Sequence, residues 1–295
     1  MQPVVSLTIG GIAFRLPAGL GLMRSDWPSV YHGFLCHDAA GQGMPAVDVE
    51  FSDDLSASLD DAEFLFDAER SWTAYRLGHE RILVHQPHGA VEWAARFAPA
   101  DSRAVIIAGR SPTTGGCALQ YPLDQVLLMY LLARMQGLIL HATGLLYEER
   151  MLVFPACSGG GKSTLASMLS EARLGTAISD DRMIVRCDAE PLMAWGSPWP
   201  GTERIAHAAS APGAGLLFLE QGPNAIEPLD PAEALARLLP VTSLLTFEKE
   251  ELEAQLGTCA MLVQQLPCYR FSFRPDSSAV ATLRKWLRED HAWQV

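Results

Sequence analysis

An apolar run, Met151-Leu152-Val153-Phe154, leads directly into Pro155-Ala156-Cys157-Ser158-Gly159-Gly160-Gly161-Lys162-Ser163-Thr164. No other feature restricts the fold of this chain as strongly. The pattern predicts a core strand, a glycine-rich loop and a helix from about Lys162 to Ala172 in immediate succession. Each residue type in the loop has its own physical role. Glycines let successive backbone N–H groups turn inward around an anion without Cβ clashes. A helix starting near Lys162 offers unsatisfied N–H groups and a partial positive charge to that anion. Lys162 adds a full charge toward the β/γ bridge of a nucleoside triphosphate, and the Ser163 hydroxyl is placed to ligate magnesium. Ser158, Gly159, Gly160, Gly161, Lys162, Ser163 and Thr164 are therefore the residues expected to hold ATP, or another nucleoside triphosphate, with Mg2+. The usual pattern is Gly-x-x-x-x-Gly-Lys-[Ser/Thr], and Ala156 stands at its first Gly. Alanine disfavours positive φ, so the departure is expected to alter the opening turn more than the cradle. The plainer alternative is a Gly/Ser-rich turn with no ligand.

Acidic residues follow at the right place. Asp180-Asp181 end the next expected strand, Ala177-Ile178-Ser179, after the loop's helix. Adjacent carboxylates are costly unless a cation or proton relieves them, and a magnesium at Ser163 would do so. One carboxylate of the pair could coordinate the metal, directly or through water, and the other could accept a proton from an attacking hydroxyl. A solvated Asp-Asp turn is the alternative. His141 follows Leu138-Ile139-Leu140 on the strand before the one that enters the loop. It reads either as a structural strand-end histidine or as a participant in transfer. Gly196-Ser197-Pro198-Trp199-Pro200-Gly201-Thr202 is a rigid, aromatic-bearing loop, either plain turn chemistry or a lid. Glu203 and Arg204 directly after it are weaker catalytic candidates.

The first third is β-rich. Val5, Leu7 and Ile9 alternate, then come Gly10-Gly11, then Ile12, Phe14 and Leu16, which predicts a hairpin. Asp60 to Arg70 reads as a short acidic helix, and the runs around Ile82–Val84, Ala90–Trp93 and Ala104–Ala108 as strands. Ser111 to Gly116 is a turn-rich joint. A strongly apolar helix is expected over Leu123 to Met135, ended by Gly137. Met183–Val185, Leu216–Leu219 and Tyr269–Phe273 read as further strands. Asp230-Pro231-Ala232-Glu233 reads as a helix start running to about Leu239, Phe247–Gln265 as mostly helical, and Ser277 or Ser278 as the cap of a last helix.

Charge and composition exclude several classes. The formal net charge of −12 argues against nucleic acid as a partner, because that backbone needs clustered Lys and Arg. The longest apolar run, Val126 to Ala133, is far short of the ~20 residues of a spanning helix, so no membrane role is expected. No basic and then apolar leader is evident at the N-terminus. Cys36, Cys117, Cys157, Cys187, Cys259 and Cys268 lack pairing rhythm and read as buried thiols of a cytoplasmic protein. Cys36-His37 with His32 lacks a second cluster to complete four metal ligands.

His141-Ala142-Thr143, Ser158-Gly159-Gly160-Gly161-Lys162-Ser163 and Ser179-Asp180-Asp181, in that order, resemble the catalytic domain of the HPr serine kinase/phosphorylase family. The same histidine, loop and aspartate pair is more distantly similar to ATP-dependent phosphoenolpyruvate carboxykinases. Pro198-Trp199-Pro200-Gly201 resembles the Pro-Trp-x-Gly of HPr-kinase-related proteins in peptide-modification gene clusters, lasso-peptide kinases among them. The likeness spans about His141 to Thr202. It implies an α/β phosphate-loop kinase domain with a mixed sheet over 116–295, preceded by a smaller β-rich accessory domain over 1–115. It assigns Lys162 to the β/γ-phosphates, Ser163 to magnesium, Asp181 to the base, Asp180 to its metal-side or electrostatic partner, and His141 to the acceptor or the transferred phosphate. The expected reaction is ATP/Mg-dependent transfer to a hydroxyl, Ser by preference, of a peptide or small protein, a ribosomally made precursor peptide included. A family Glu-x-Arg-Gly segment is not evident, which argues against HPr itself as acceptor and against a phosphorylase reaction. The rival readings are a small-metabolite kinase on the same scaffold and a nucleotide-binding regulator without transfer. The oligomeric state stays open, a homo-oligomer included.

Overall fold

The computed structural model describes residues 4–17, 22–37, 44–52, 59, 61–69, 71–86, 91–101, 103–107 and 118–289. Contacts divide the chain into two compact units, Met1–Leu131 and Leu132–Val295. The expected joint Ser111–Gly116, and with it the expected boundary at 115/116, lies outside the described residues. So does Cys117.

In the first unit the strands are β1 (Ser6–Ile9), β2 (Ile12–Arg15), β3 (Leu35–Cys36), β4 (Ala46–Ser52), β5 (Glu63–Asp67), β6 (Thr73–Leu77), β7 (Glu80–His85), β8 (Trp93–Phe97) and β9 (Arg103–Ile107). They form one mixed sheet in the order β3-β1-β2-β4-β9-β8-β7-β6-β5. The β1–β2 hairpin turns on Gly10 and Gly11 at φ 61° and 73°, the doubly left-handed turn that the Gly-Gly pair predicts. The helix expected over Asp60–Arg70 is not formed in its described part. Glu63–Asp67 is β5, paired antiparallel with β6. Its acidic ends suggest a helix, but Phe64 and Phe66 pack on Tyr75 and Trp72 at ring separations of 6.1 and 5.4 Å. Aromatic pairs of this kind favour the pleated surface. The chain crosses into the second unit within helix α1 (Leu123–Arg134). The left-handed residue that ends this helix is Gln136, φ 46°, rather than Gly137.

The second unit holds β10 (Gly137–Tyr147), β11 (Arg150–Pro155), β12 (Thr176–Ser179), β13 (Arg182–Arg186), β14 (Met193–Gly196), β15 (Ser210–Gln221), β16 (Ala225–Pro228) and β17 (Cys268–Phe273). Its helices are α2 (Lys162–Glu171), α3 (Pro231–Leu238), α4 (Lys249–Gln265) and α5 (Ser277–Glu289). The sheet order is β11-β10-β13-β14-β15-β17-β16, with β12 on β10 and a parallel β11–β15 pairing. Two long strands serve several partners. β10 pairs with β13 in its first half and with β11 in its second. β15 pairs in turn with β14, β11 and β17.

Side-chain alternation sorts the central strands into two cores. Met151, Val153, Leu216 and Phe218 face a cluster closed by Ala234 and Leu238 of α3 and Cys259 and Leu262 of α4. Leu152, Phe154, Leu217 and Leu219 face the other cluster, closed by Leu165 and Leu169 of α2 and Leu283 and Leu287 of α5. Each fully buried Leu or Phe contributes about 1.5–3 kcal/mol. The glycine-rich loop thus leaves a strand anchored on both faces. The helix caps follow local chemistry. Asp230 accepts from Ala232 and Glu233 N–H at 2.9 and 3.0 Å, with Pro231 at the first helical position. At α5 the cap is Asp276, whose carboxylate accepts the Ser278 N–H at 2.8 Å, so Ser277 and Ser278 lie inside the helix. An acidic cap also complements the helix dipole. The protein is α/β with mixed sheets and is mostly strands. No described helix is long and apolar enough to cross a membrane.

Candidate functional site

The loop between β11 and α2 has the conformation that its glycines permit. Gly159 and Gly161 lie at φ 78° and 94°, a region open to glycine and strained for other residues. Gly161 is the residue before α2, and the helix start has no side-chain cap. Its first N–H groups are therefore left for an anion. A Cβ on Gly161 would come within 2.6 Å of the Phe273 ring. Space also explains the unusual Ala156. It is not among the positive-φ residues, so the methyl costs no backbone strain. A Cβ on Gly160 would stand 2.7 Å from the Ala156 methyl, so Gly160 makes the room that the alanine takes.

Lys162 is only 6% exposed. Its ammonium donates to the carbonyls of Ala156 and Cys157 at 3.0 and 3.2 Å, curling over its own loop. Burial holds its pKa below the ordinary lysine value. Asp181, Cys157 and Asp180 oppose that effect and Arg182 adds to it. A half-desolvated cation held by two carbonyls gains from an anion brought within reach.

The two aspartates have different occupations. Asp180 is 1% exposed, and its carboxylate accepts the backbone N–H groups of Gly201, Glu203 and Ile205 at 2.9, 2.8 and 3.2 Å. It fastens the segment after β14, and the metal-side role expected for it draws no support from this geometry. Gly201 fits that fastening, because a Cβ there would lie 2.9 Å from an Asp180 oxygen. Asp181 faces the other way. Its Oδ1 is 2.8 Å from His141 Nε2 and its Oδ2 is 3.0 Å from the Arg182 guanidinium. Burial raises its pKa, but the His141 hydrogen bond and the Arg182, His141 and Lys162 charges outweigh it and hold the carboxyl below its ordinary value. The pair escapes mutual repulsion through separate partners, with no ion needed between them.

Backbone contacts bring these groups together. Ala156 N–H donates to His141 C=O at 3.1 Å, and Ala142 N–H to Asp181 C=O at 3.0 Å. The Ser179 hydroxyl accepts from the Asp181 and Arg182 N–H groups at 3.3 and 3.1 Å. Loop, histidine and aspartate are thus joined through β10, whose register sets His141 opposite Arg182. Ser163 is partly buried and Thr164 exposed on the first turn of α2.

The Pro-Trp loop is fastened rather than hinged. Trp199 is 5% exposed, and the buried Ser197 hydroxyl donates to Arg182 C=O at 2.8 Å. Glu203 and Arg204 expose their side chains and use backbone N–H groups to bond Asp180 and Gly201. Asp180→Ala is expected to destabilise the protein by on the order of 3 kcal/mol, since it removes a buried carboxylate and leaves three backbone N–H groups without their charged acceptor. Chemical denaturation of the ligand-free variant measures this. A loss below about 1 kcal/mol would contradict the fastening role.

Two features are absent from the sequence reading. Arg182 directly follows the pair and could have been singled out as a cation beside two carboxylates. A cleft of about 440 Å³ also opens beside the loop, lined by Gly159, Gly161, Thr164, Gln221, Gly222, Pro223, Phe273, Arg274 and Pro275. No local motif marks it, because its walls come from distant segments. Of the cysteines, Cys187, Cys259 and Cys268 are buried thiols, and burial pushes Cys187 and Cys268 up to about 12. Cys157, expected buried, is exposed on the loop. Among the described residues no group of three or more His, Cys, Asp or Glu could hold a metal unaided. A magnesium here would take part of its coordination from phosphates and water, as its reluctance to dehydrate requires. No protein-family model matches the chain, and a search of curated proteins finds no match.

Proposed function

We propose that this protein is an ATP/Mg-dependent kinase that transfers the γ-phosphoryl group to a hydroxyl, a serine by preference, of a peptide or small protein. One observation carries the reading: Asp181 is hydrogen-bonded at 2.8 Å to His141, whose backbone carbonyl accepts the Ala156 N–H of the glycine loop that ends at the buried Lys162. Nucleotide binding alone needs the loop and its lysine. A carboxylate–histidine pair at the same place adds what a hydroxyl acceptor requires. The finer fold that goes with it is a phosphate-loop kinase domain of the HPr kinase and phosphoenolpyruvate carboxykinase type. The order of His141, loop and aspartate pair supports it, as does a loop that leaves a mixed sheet.

The residues divide the work as follows. The N–H groups of the loop and of the first turn of α2 receive the phosphates. Lys162 leaves its loop carbonyls and places its charge on them. Ser163, with phosphate oxygens and water, would hold a magnesium, which when bound supplies neutralisation of the phosphate charge. His141, Arg182 and Lys162 keep Asp181 ionised, so it is ready to accept the acceptor's proton. His141 shares a hydrogen bond with that carboxylate and fixes its direction. Asp180 acts through position, setting the segment that follows it.

The test offers γ-labelled ATP with magnesium to peptides with internal and C-terminal Ser, HPr-like proteins and small hydroxylated metabolites. Label on a peptide or protein serine is the expected result. Label on a metabolite alone would move the acceptor class. Tight binding with no label on any acceptor would favour a nucleotide-binding regulator.

A further inference from the structure

We infer that the cleft beside the loop holds the nucleoside end of the donor, and that it does so without reading the base. This rests on the proposed phosphate loop and names what that site accepts. The cleft's one wall is the loop itself, Gly159 and Gly161, with Thr164 of α2. Its other wall is the β15–β16 turn at Gln221–Pro223 and the end of β17 at Phe273–Pro275. Phosphates on the loop N–H groups place whatever they are esterified to next to this opening. A volume of about 440 Å³ lies within the range of small-molecule sites, ~300–1,000 Å³.

The chemistry of the walls decides what is recognised. The Phe273 ring packs over Gly161, tying the cleft to the loop, and Pro223 and Pro275 add apolar rim. The protein carries a formal charge of −12, yet none of the described lining residues is a carboxylate. The one charged residue among the described lining residues is Arg274, exposed, with its backbone N–H fixed on Asn224 at 2.8 Å. A guanidinium takes a π face or a ribose oxygen without preferring one base.

Strong discrimination between bases needs buried polar groups that the wrong base would leave unpaired. Among the described lining residues, no side chain supplies one. Thr164, Gln221 and Arg274 are all exposed. Two rim backbone contacts are internal: Gln221 pairs with Phe273, and Gly222 N–H donates to Phe273 C=O at 3.2 Å. The donor is therefore chosen by its triphosphate and by having a nucleoside, with adenine, guanine and cytosine nearly equivalent.

The experiment titrates the full chain with ATP, GTP, CTP and inorganic tripolyphosphate, each with magnesium, by calorimetry. The three nucleotides are expected within ~10-fold of one another and each at least ~10-fold tighter than tripolyphosphate. Arg274→Ala, and separately Pro223→Trp to fill the cleft, should bring the nucleotides toward tripolyphosphate and leave tripolyphosphate unchanged. Unchanged unfolding curves guard against variants that fail to fold. A preference above ~100-fold for one base would overturn base-blindness. Tripolyphosphate as tight as the nucleotides, or equally weakened by both variants, would overturn the nucleoside assignment. Nucleotides and tripolyphosphate all failing to bind would overturn the phosphate-loop reading beneath it.

Discussion

Asp181→Asn is expected to bind Mg-ATP within a few-fold of wild type and to transfer phosphate ~10²–10⁴-fold more slowly, the usual loss when a general base is removed. The substitution keeps the size and shape of the side chain. It removes the negative charge that His141 and Arg182 hold at 2.8 and 3.0 Å, and with it the ability to take a proton. Loop and Lys162 remain, so most phosphate affinity should remain too. The deficit belongs in kcat rather than in KM, because the lost interaction forms as the acceptor's proton leaves. His141→Ala tests the same pair from the other side. It should give a smaller loss, since Arg182 and Lys162 still keep Asp181 ionised. Equal transfer by Asp181→Asn and wild type would refute the base assignment and leave nucleotide binding standing.

Lys162→Ala is expected to weaken Mg-ATP by ~10–100-fold, the worth of a charge-assisted contact to phosphate of about 1.5–3 kcal/mol. The ligand-free protein should be affected far less. The buried ammonium hydrogen-bonds the Ala156 and Cys157 carbonyls, and its lowered pKa reflects the cost of holding a charge there. Removing it gives up two modest hydrogen bonds and relieves that cost. Calorimetry measures the first quantity and thermal melting without ligand the second. A variant that loses stability as severely as affinity would mark Lys162 as a structural residue.

The readable parts of the chain were those in which one physical requirement dominates locally. Gly10-Gly11 needs positive φ twice and gave its hairpin. Met151–Phe154, the loop and α2 were legible because apolar run, glycines and helix are contiguous. Asp230-Pro231 announced α3 through its cap. The misreadings share a cause, which is that tertiary partners outvote local pattern. Glu63–Asp67 is a strand because β6 supplies Tyr75 and Trp72 stands close by. At the site, the pairing of His141 with Asp181 depends on the β10–β13 register, which no short window contains. Asp180 and Asp181 look interchangeable in sequence. They part in the two-residue bend between β12 and β13, one turning to Gly201–Ile205 and the other to His141. The cleft was invisible because Gln221 and Phe273 meet only through β15–β17 pairing.

Titration of Mg-ATP into the wild-type protein by calorimetry, with free magnesium and again with excess chelator, tests the central claim most directly. That claim is that residues 155–164 form one magnesium-dependent triphosphate site. The account predicts saturable binding at one site per chain with magnesium and affinity at least ~10-fold lower with chelator, because Ser163 reaches the phosphates through the ion. No binding in either condition, or affinity indifferent to the chelator, would contradict it.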